Sequence, residues 1–227
     1  MHTCHHPWVP LAVVGLVGCA FLLASCKEPF TEVCAVPGFP GVAVQLEDAL
    51  GRPAAYGAKL IVRDGAYVDS SFGYSDPRSI GAADNRAGTY TLEITRPWYS
   101  RVVLPDVQVP GGTCGAYQTV TVSSTLHLVA GAPAVRIVVV VPHGAGLGLA
   151  GLELPYSAYV DANPGLDTTV TWSISDTTVA RISPSGRAVS QCRTHWGEAT
   201  VVATSTADTT VKGEAQLTVW ANASSCP

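Results

Sequence analysis

The side chains best suited to chemistry in this 227-residue chain are its seven cysteines and one short run, His195-Trp196-Gly197-Glu198. One imidazole beside one carboxylate is half of an acid–base pair or a metal site. A zinc-binding helix needs a second histidine four residues from the first, and none is there. His127 and His143 stand alone in the sequence. Asp64, Asp69, Asp76 and Asp84 offer carboxylate oxygens, but their spacing is far looser than that of a calcium loop. The sequence has no G-x-S-x-G, no phosphate-binding glycine loop and no dinucleotide fingerprint. The expectation is a chain with no catalytic residues, no metal and no cofactor.

Position near the N-terminus gives one cysteine a different meaning. Pro10 to Ala24 is an apolar run too short for a bilayer, which takes ~20 apolar residues, and it ends in small residues as a secretory signal does. The preceding Met1-His2-Thr3-Cys4-His5-His6 carries no Lys or Arg, so its charge depends on histidines. The run closes on Leu23-Ala24-Ser25-Cys26, which resembles the lipobox of bacterial lipoproteins. A second such stretch, Leu16-Val17-Gly18-Cys19, would leave Ala20-Phe21-Leu22-Leu23 exposed at the mature end, so Cys26 is the better acceptor. The resemblance implies cleavage before Cys26 and lipid on its thiol. Residues 1–25 are then the signal and 26–39 a tether. An ordinary signal peptide is the alternative. Lys27 stands where that family uses Asp for inner-membrane retention. This implies an outer-membrane or cell-surface location, with the periplasmic face as the alternative display.

The formal charge is −4, from 13 basic and 17 acidic residues. There is no basic stripe, which excludes nucleic acid as a partner. The expected partners are the membrane, through the lipid, and a protein or glycan of unknown identity. About 200 residues follow the signal, enough for two domains that each bury a core. Val, Thr, Ala and Gly dominate and only one Met is present. Branched side chains suit a pleated surface, so the fold class is all-β, with two tandem β-sandwiches.

The first domain is assigned to residues 40–128. Val42–Leu46, Ala58–Arg63, Thr89–Ile94, Val107, Val109 and Thr119–Val122 read as strands separated by turn residues. Asp64-Gly65 suits a tight hairpin, and Tyr90, Leu92 and Ile94 fall on one face. Asp48-x-x-Gly51-x-Pro53, Ala58-x-Leu60-x-Val62 and Gly88-x-Tyr90-x-Leu92-x-Ile94 together resemble a carboxypeptidase regulatory-like domain, a transthyretin-like sandwich. The resemblance implies that Tyr90 packs in the core. The His-rich site and the C-terminal Tyr-Arg-Gly-Ser of the hydrolytic relatives are missing, so their activity is not implied. Tyr67 to Ile80 is an insert, and Tyr67, Phe72 and Tyr74 within it form a candidate ligand loop for a sugar or peptide. The alternative is that these rings cap an end of the sandwich.

Residues 129–134, around Ala130-Gly131-Ala132-Pro133, read as a linker, 135–222 as the second domain and 223–227 as a tail. Arg136–Val141, Leu154–Val160, Val170–Ile174, Val179–Ile182, Arg187–Val189, Gly197–Thr204 and Ala215–Val219 give about seven short strands, the count of an immunoglobulin-like sandwich. Val170-Thr171-Trp172-Ser173, then Asp176, Val179-Ala180, Ile182, Gly186 and Val189, then Gly197-x-Ala199-x-Val201-x-Ala203-Thr204, resemble the bacterial immunoglobulin-like domain of group 2. Trp172 is a large strand residue suited to the space between the sheets.

Cys4 and Cys19 leave with the signal, and Cys26 is lipidated. Cys34, Cys114, Cys192 and Cys226 remain in an oxidising compartment, where four cysteines allow three pairings. One bond per domain, Cys34–Cys114 and Cys192–Cys226, is the expected pairing. No Cys-x-x-Cys spacing supports a metal site. The function expected is non-enzymatic: adhesion, ligand binding or envelope scaffolding by a lipid-anchored protein. Two other readings stay open, a periplasmic accessory subunit of a nutrient-uptake or polymer-processing complex and a hydrolase using an unrecognised site.

Overall fold

The computed structural model describes residues 38–112 and 114–221, and among them it contains strands and no helix. The signal, Cys26, Cys34, Cys226 and the tail 223–227 lie outside the described residues.

The first sandwich is built from β1 (Pro40–Asp48), β2 (Lys59–Asp64), β3 (Tyr67–Phe72), β4 (Ser79–Asp84), β5 (Gly88–Thr95), β6 (Val102–Val109), the two-residue pair β7 (Gly111–Gly112) and β8 (Gly115–Ala116), and β9 (Val120–Leu126). One layer has the order β4-β1-β9, with β1 and β9 parallel, and the other the order β3-β2-β5-β6. Period-two alternation sends Val42, Val44 and Leu46 from one layer and Leu60, Val62, Tyr90, Leu92 and Ile94 from the other into a shared core. The Tyr90 ring is fully buried, and its hydroxyl donates to the Arg86 carbonyl at 3.0 Å.

The insert expected between Tyr67 and Ile80 is a strand for half its length. β3 pairs with β2 over six positions, Lys59↔Phe72 to Asp64↔Tyr67. This edge strand was illegible because its polar residues are tolerated there: its burial alternates only between half-buried and exposed.

The second sandwich contains β10 (Val135–Val141), β11 (Gly144–Leu147), β12 (Glu153–Pro155), β13 (Ser157–Ala162), β14 (Val170–Ile174), β15 (Ala180–Ile182), β16 (Arg187–Ser190), β17 (Gly197–Ser205) and β18 (Lys212–Val219). β12 and β13 are one extended run interrupted at Tyr156. Its first half pairs with β16, which pairs with β15, and its second half pairs with β10. The facing layer is β11-β18-β17-β14. After β10 the chain passes Pro142 and changes layers, so that β11 lies parallel to β18. Two layers in this order, joined by a first strand that serves both, make an immunoglobulin-like sandwich.

Leu147, Tyr156, Val179, Val201, Leu217 and Val219 fill its core. Trp172 packs against that core but stays half-buried, so it seals the flank instead of sitting between the layers. Gly186 explains its position. A Cβ there would lie 2.8 Å from the Trp172 ring and 2.7 Å from the Tyr156 carbonyl, at a φ of +80° that side chains rarely adopt.

Candidate functional site

The two hydrophobic cores are separate, but the sandwiches share a polar seam. Asp161 lies at the end of β13 with its side chain 1% exposed. Its Oδ1 accepts from Arg136 Nη2 at 2.6 Å, and its Oδ2 accepts from Arg96 Nη1 at 2.9 Å and from the Tyr99 hydroxyl at 3.0 Å. Arg136 belongs to the same sandwich as Asp161, whereas Arg96 and Tyr99 belong to the first. Arg52 adds a third guanidinium. It pairs with Asp48 at 2.6 Å, donates to the Ala162 carbonyl at 2.9 Å and lies 3.9 Å from Asp161.

Local structure explains how these charges come together. A register shift in β10 between Val135 and Ile137 lets consecutive residues Val135 and Arg136 both turn inward. Arg96 follows the last residue of β5, where its Nε donates to the Tyr56 carbonyl at 3.0 Å and its guanidinium lies 4.5 Å from the centre of the Tyr99 ring. Burial works against the Arg136 charge, but the hydrogen bond and attraction of Asp161 more than offset it and hold that guanidinium above its ordinary pKa. Burial likewise pushes up the Tyr99 phenol, so it remains a donor. Tyr159 completes the seam. Its hydroxyl donates to the Pro53 carbonyl at 3.2 Å, and its ring meets Tyr56 edge-on at 5.4 Å.

The segment expected to act as a linker is tied down at both ends. Val129 N–H donates to the Trp98 carbonyl at 3.0 Å, and Asn163 N–H to the Ala134 carbonyl at 2.8 Å. Relative motion is the default for two domains in one chain. Here a buried ion cluster and a pinned connection oppose it.

Beside the seam lies an open trough of about 600 Å³. Tyr56, Tyr74 and Ser75 line it from the first sandwich, and Pro142, His143 and Ser157 from the second. Tyr74 and His143 stack face to face across the seam, with centroids 3.9 Å apart and planes within 3°. Phe72 continues the stack at 6.0 Å from Tyr74. A smaller hollow of about 320 Å³, which Tyr74 and His143 also line, is bordered by Gly57, Pro97 and the start of β18.

The candidate ligand residues thus divide. Phe72 and Tyr74 lie together at the seam. Tyr67 sits at the other end of β3, packed against the first core, with the Arg86 guanidinium 3.9 Å from its ring centre. Tyr67 is therefore not part of one ligand loop with the other two. His143, which the sequence left without a partner, is brought into the site by the change of layers at Pro142.

The remaining candidates stay apart. His195 and Glu198 are exposed, and the His195 ring meets the neighbouring Thr194 hydroxyl at 3.0 Å. Asp64 pairs with Arg86, Asp69 accepts the Ala83 N–H, and Asp76 accepts the Arg78 N–H. Among the described residues no three His, Cys, Asp or Glu side chains gather as a metal site. Neither Cys114 nor Cys192 is a free thiol. The pairing Cys34–Cys114 and Cys192–Cys226 remains an expectation, because Cys34 and Cys226 lie outside the described residues.

No protein-family model and no curated protein matches the chain. Among solved structures it is similar to fibronectin(III)-like modules of Clostridium thermocellum CbhA, with 14% identity, a TM-score of 0.25, and coverage of 75% of this chain and 80% of that one. It is also similar to the N-terminal four Ig domains of Dscam1 isoform 6.9, with 12% identity, a TM-score of 0.26, and coverage of 78% and 43%. At these values the likeness carries no functional argument, and the sandwich fold rests on the strand order and cores described above.

Proposed function

We propose that the chain is a non-catalytic envelope lipoprotein, anchored through Cys26, whose two sandwiches act as one stiff body for binding or scaffolding. The observation that carries this reading is the Asp161 seam. A flexible pair of modules needs no buried ions between them, whereas a spacer that holds a surface at a fixed distance does need a rigid joint.

Chain direction supports the same reading. β1 starts at Pro40, beside Asn85, at the pole of the first sandwich opposite the seam, and runs to Asp48 at the seam. β18 starts near the seam and ends at Val219 and Trp220, at the far pole of the second sandwich. The chain thus enters at one end and leaves at the other. Two strand lengths in series give a body roughly 55 Å long. A tether at residues 26–39 places the second sandwich outermost. Membership of the carboxypeptidase regulatory-like and group 2 immunoglobulin-like families, and an outer-membrane location, belong to this proposal.

The disulfide pairing Cys34–Cys114 and Cys192–Cys226 fits the described neighbours. Phe39 and Ala116 both bond to the backbone of Asn85, which brings the start of β1 and the segment bearing Cys114 to one pole. Gly197 pairs with Val219, and the Arg193 guanidinium packs on Gly197, so the loop of Cys192 lies beside the end of β18.

The anchor is tested by metabolic labelling with radioactive palmitate. The wild-type chain should incorporate label and partition with membranes, and Cys26→Ser should do neither. Equal incorporation by the variant would overturn the anchor.

A further inference from the structure

We propose that the open edge of β11 pairs antiparallel with the β11 edge of a second copy of this chain, joining two molecules through their second sandwiches. This deepens the binding reading above, and its membrane arm rests on the Cys26 anchor.

β11 is the outer strand of the layer β11-β18-β17-β14. It bonds to β18 through alternate residues: Gln216 N–H donates to the His143 carbonyl and Trp220 N–H to the Leu147 carbonyl, each at 2.9 Å. The intervening Gly144 and Gly146 therefore turn their N–H and carbonyl groups the other way, where no strand pairs with them among the described residues. Such a row is a template for another strand, and edges are commonly blunted by charge, proline or a bulge. β6 carries Pro105 and a φ of +58° at Asp106, and β3 carries Asp69. Gly144–Leu147 carries none of these, and a Cβ on Gly144 would meet nothing within 4 Å, so the approach is open.

Trp220 is an independent sign of an interface. Its ring reaches from β18 to β11, with Nε1 3.1 Å from where a Cβ on Gly146 would stand, yet the residue stays 56% exposed. Leu149, just past β11, is 53% exposed. Exposed tryptophan and leucine beside an unpaired edge are apolar surface that association removes from water.

A second copy fits this edge better than an unrelated strand. In a two-fold pairing about Ala145, Gly144 of one copy lies opposite Gly146 of the other, and each such pair exchanges both its N–H···O bonds. The outer faces of the two sheets stay on one side, so both Trp220 rings flank the centre of the joined sheet. An unrelated strand would match the backbone but bring nothing to cover Trp220. A strand of 4 residues and one indole per copy fall short of the ~800 Å² per partner of a stable complex. The dimer is therefore weak in solution and gains strength when many copies share a surface.

Direction sets its geometry. β11 and β18 run together from the seam side toward the far pole. Antiparallel pairing points the two first sandwiches, and with them the tethers, in opposite directions. With a rigid seam, two copies in one membrane cannot pair this way, whereas copies on facing membranes can.

Sedimentation equilibrium of the Cys26→Ser chain tests the pairing without lipid. Its mass should rise from monomer to dimer across the high-micromolar range. Gly144→Pro, which removes a free-edge N–H, and Gly144→Lys, which charges the edge, should stay monomeric with unchanged urea midpoints. Trp220→Ala should dimerise about ten-fold more weakly. A folded chain that stays monomeric at millimolar concentration would overturn the proposal, as would a dimer indifferent to all three substitutions. Phosphatidylcholine vesicles carrying the lipidated chain should cluster, read by light scattering, and should not cluster with Gly144→Pro. Dimers in solution with no clustering of such vesicles would overturn the facing-membrane geometry. The sedimentation outcomes do not depend on lipid at Cys26, so failure of the pairing is distinguishable from failure of the anchor.

Discussion

Arg96 and Asp161 belong to different sandwiches, yet their side chains meet at 2.9 Å with only 1% of each exposed. Ion pairs this deeply buried recover their desolvation cost only when further hydrogen bonds satisfy both partners. Asp161 is well satisfied, with donors on each oxygen. The cations are less so: three guanidiniums share two carboxylates, and Arg96 Nη2 and Arg136 Nε have no partner among the described residues. The seam is thus more demanding of geometry than generous in energy, which is what a joint with one permitted angle requires.

Removing the shared anion should be costly. Asp161→Ala leaves Arg96 and Arg136 buried without a counter-charge, and a loss of about 3–5 kcal/mol is expected. Urea unfolding followed by tryptophan fluorescence measures it, and a change below about 1 kcal/mol would show that the cluster is not stabilising the fold.

Acid should weaken the same region. Burial raises the Asp48 carboxyl, but N–H groups of Arg52 and Leu50 and the Arg52 guanidinium more than offset this and hold it below its ordinary value. A carboxyl lowered by folding stabilises the native state above its unfolded pKa of about 3.9. That contribution is lost as pH falls through the lower folded value. Asp76 shifts in the same direction, chiefly through the N–H of Arg78. Stability should be level from neutral pH to about 5 and fall below about 4, with a shallower fall in Asp48→Asn. Equal slopes for the two chains would contradict this.

Tyr156 offers the opposite case. Its side chain is buried in the second core, its hydroxyl has no partner among the described residues, and burial pushes its pKa up to about 12. Tyr156→Phe removes an unsatisfied polar atom and should be neutral or stabilising by about 1 kcal/mol. The urea midpoint at constant slope reads the effect. A destabilisation of about 1 kcal/mol or more would mean that the hydroxyl is bonded after all, to a buried water.

Non-reducing peptide mapping should recover a Cys34–Cys114 pair and a Cys192–Cys226 pair. A peptide joining Cys34 to Cys192 would break the arrangement of one bond per sandwich.

Strands that face a core were legible because alternation is imposed by burial, as Tyr90, Leu92 and Ile94 illustrate. β3 was not, since an edge strand with one half-buried face can hold Asp69, Ser70 and Ser71. β4 was hidden by its small residues, Gly81, Ala82 and Ala83. The seam left only faint marks: Arg136 opening the apolar run Ile137–Val141, and Asp161 between Val160 and Ala162, each a charge on a buried stretch. Their partners come from distant segments, and nothing in local spacing joins Arg52, Arg96 and Asp161. The aromatic stack at the seam was half visible through Phe72 and Tyr74. Its third member, His143, depends on where the first strand of the second sandwich changes layers, which no residue pattern announced.

Differential scanning calorimetry of the full chain tests the rigid joint most directly. If the seam makes the two sandwiches one body, a single transition is expected, with calorimetric and van't Hoff enthalpies equal, and Asp161→Ala should split it in two. Two separate transitions in the wild-type chain would contradict the account.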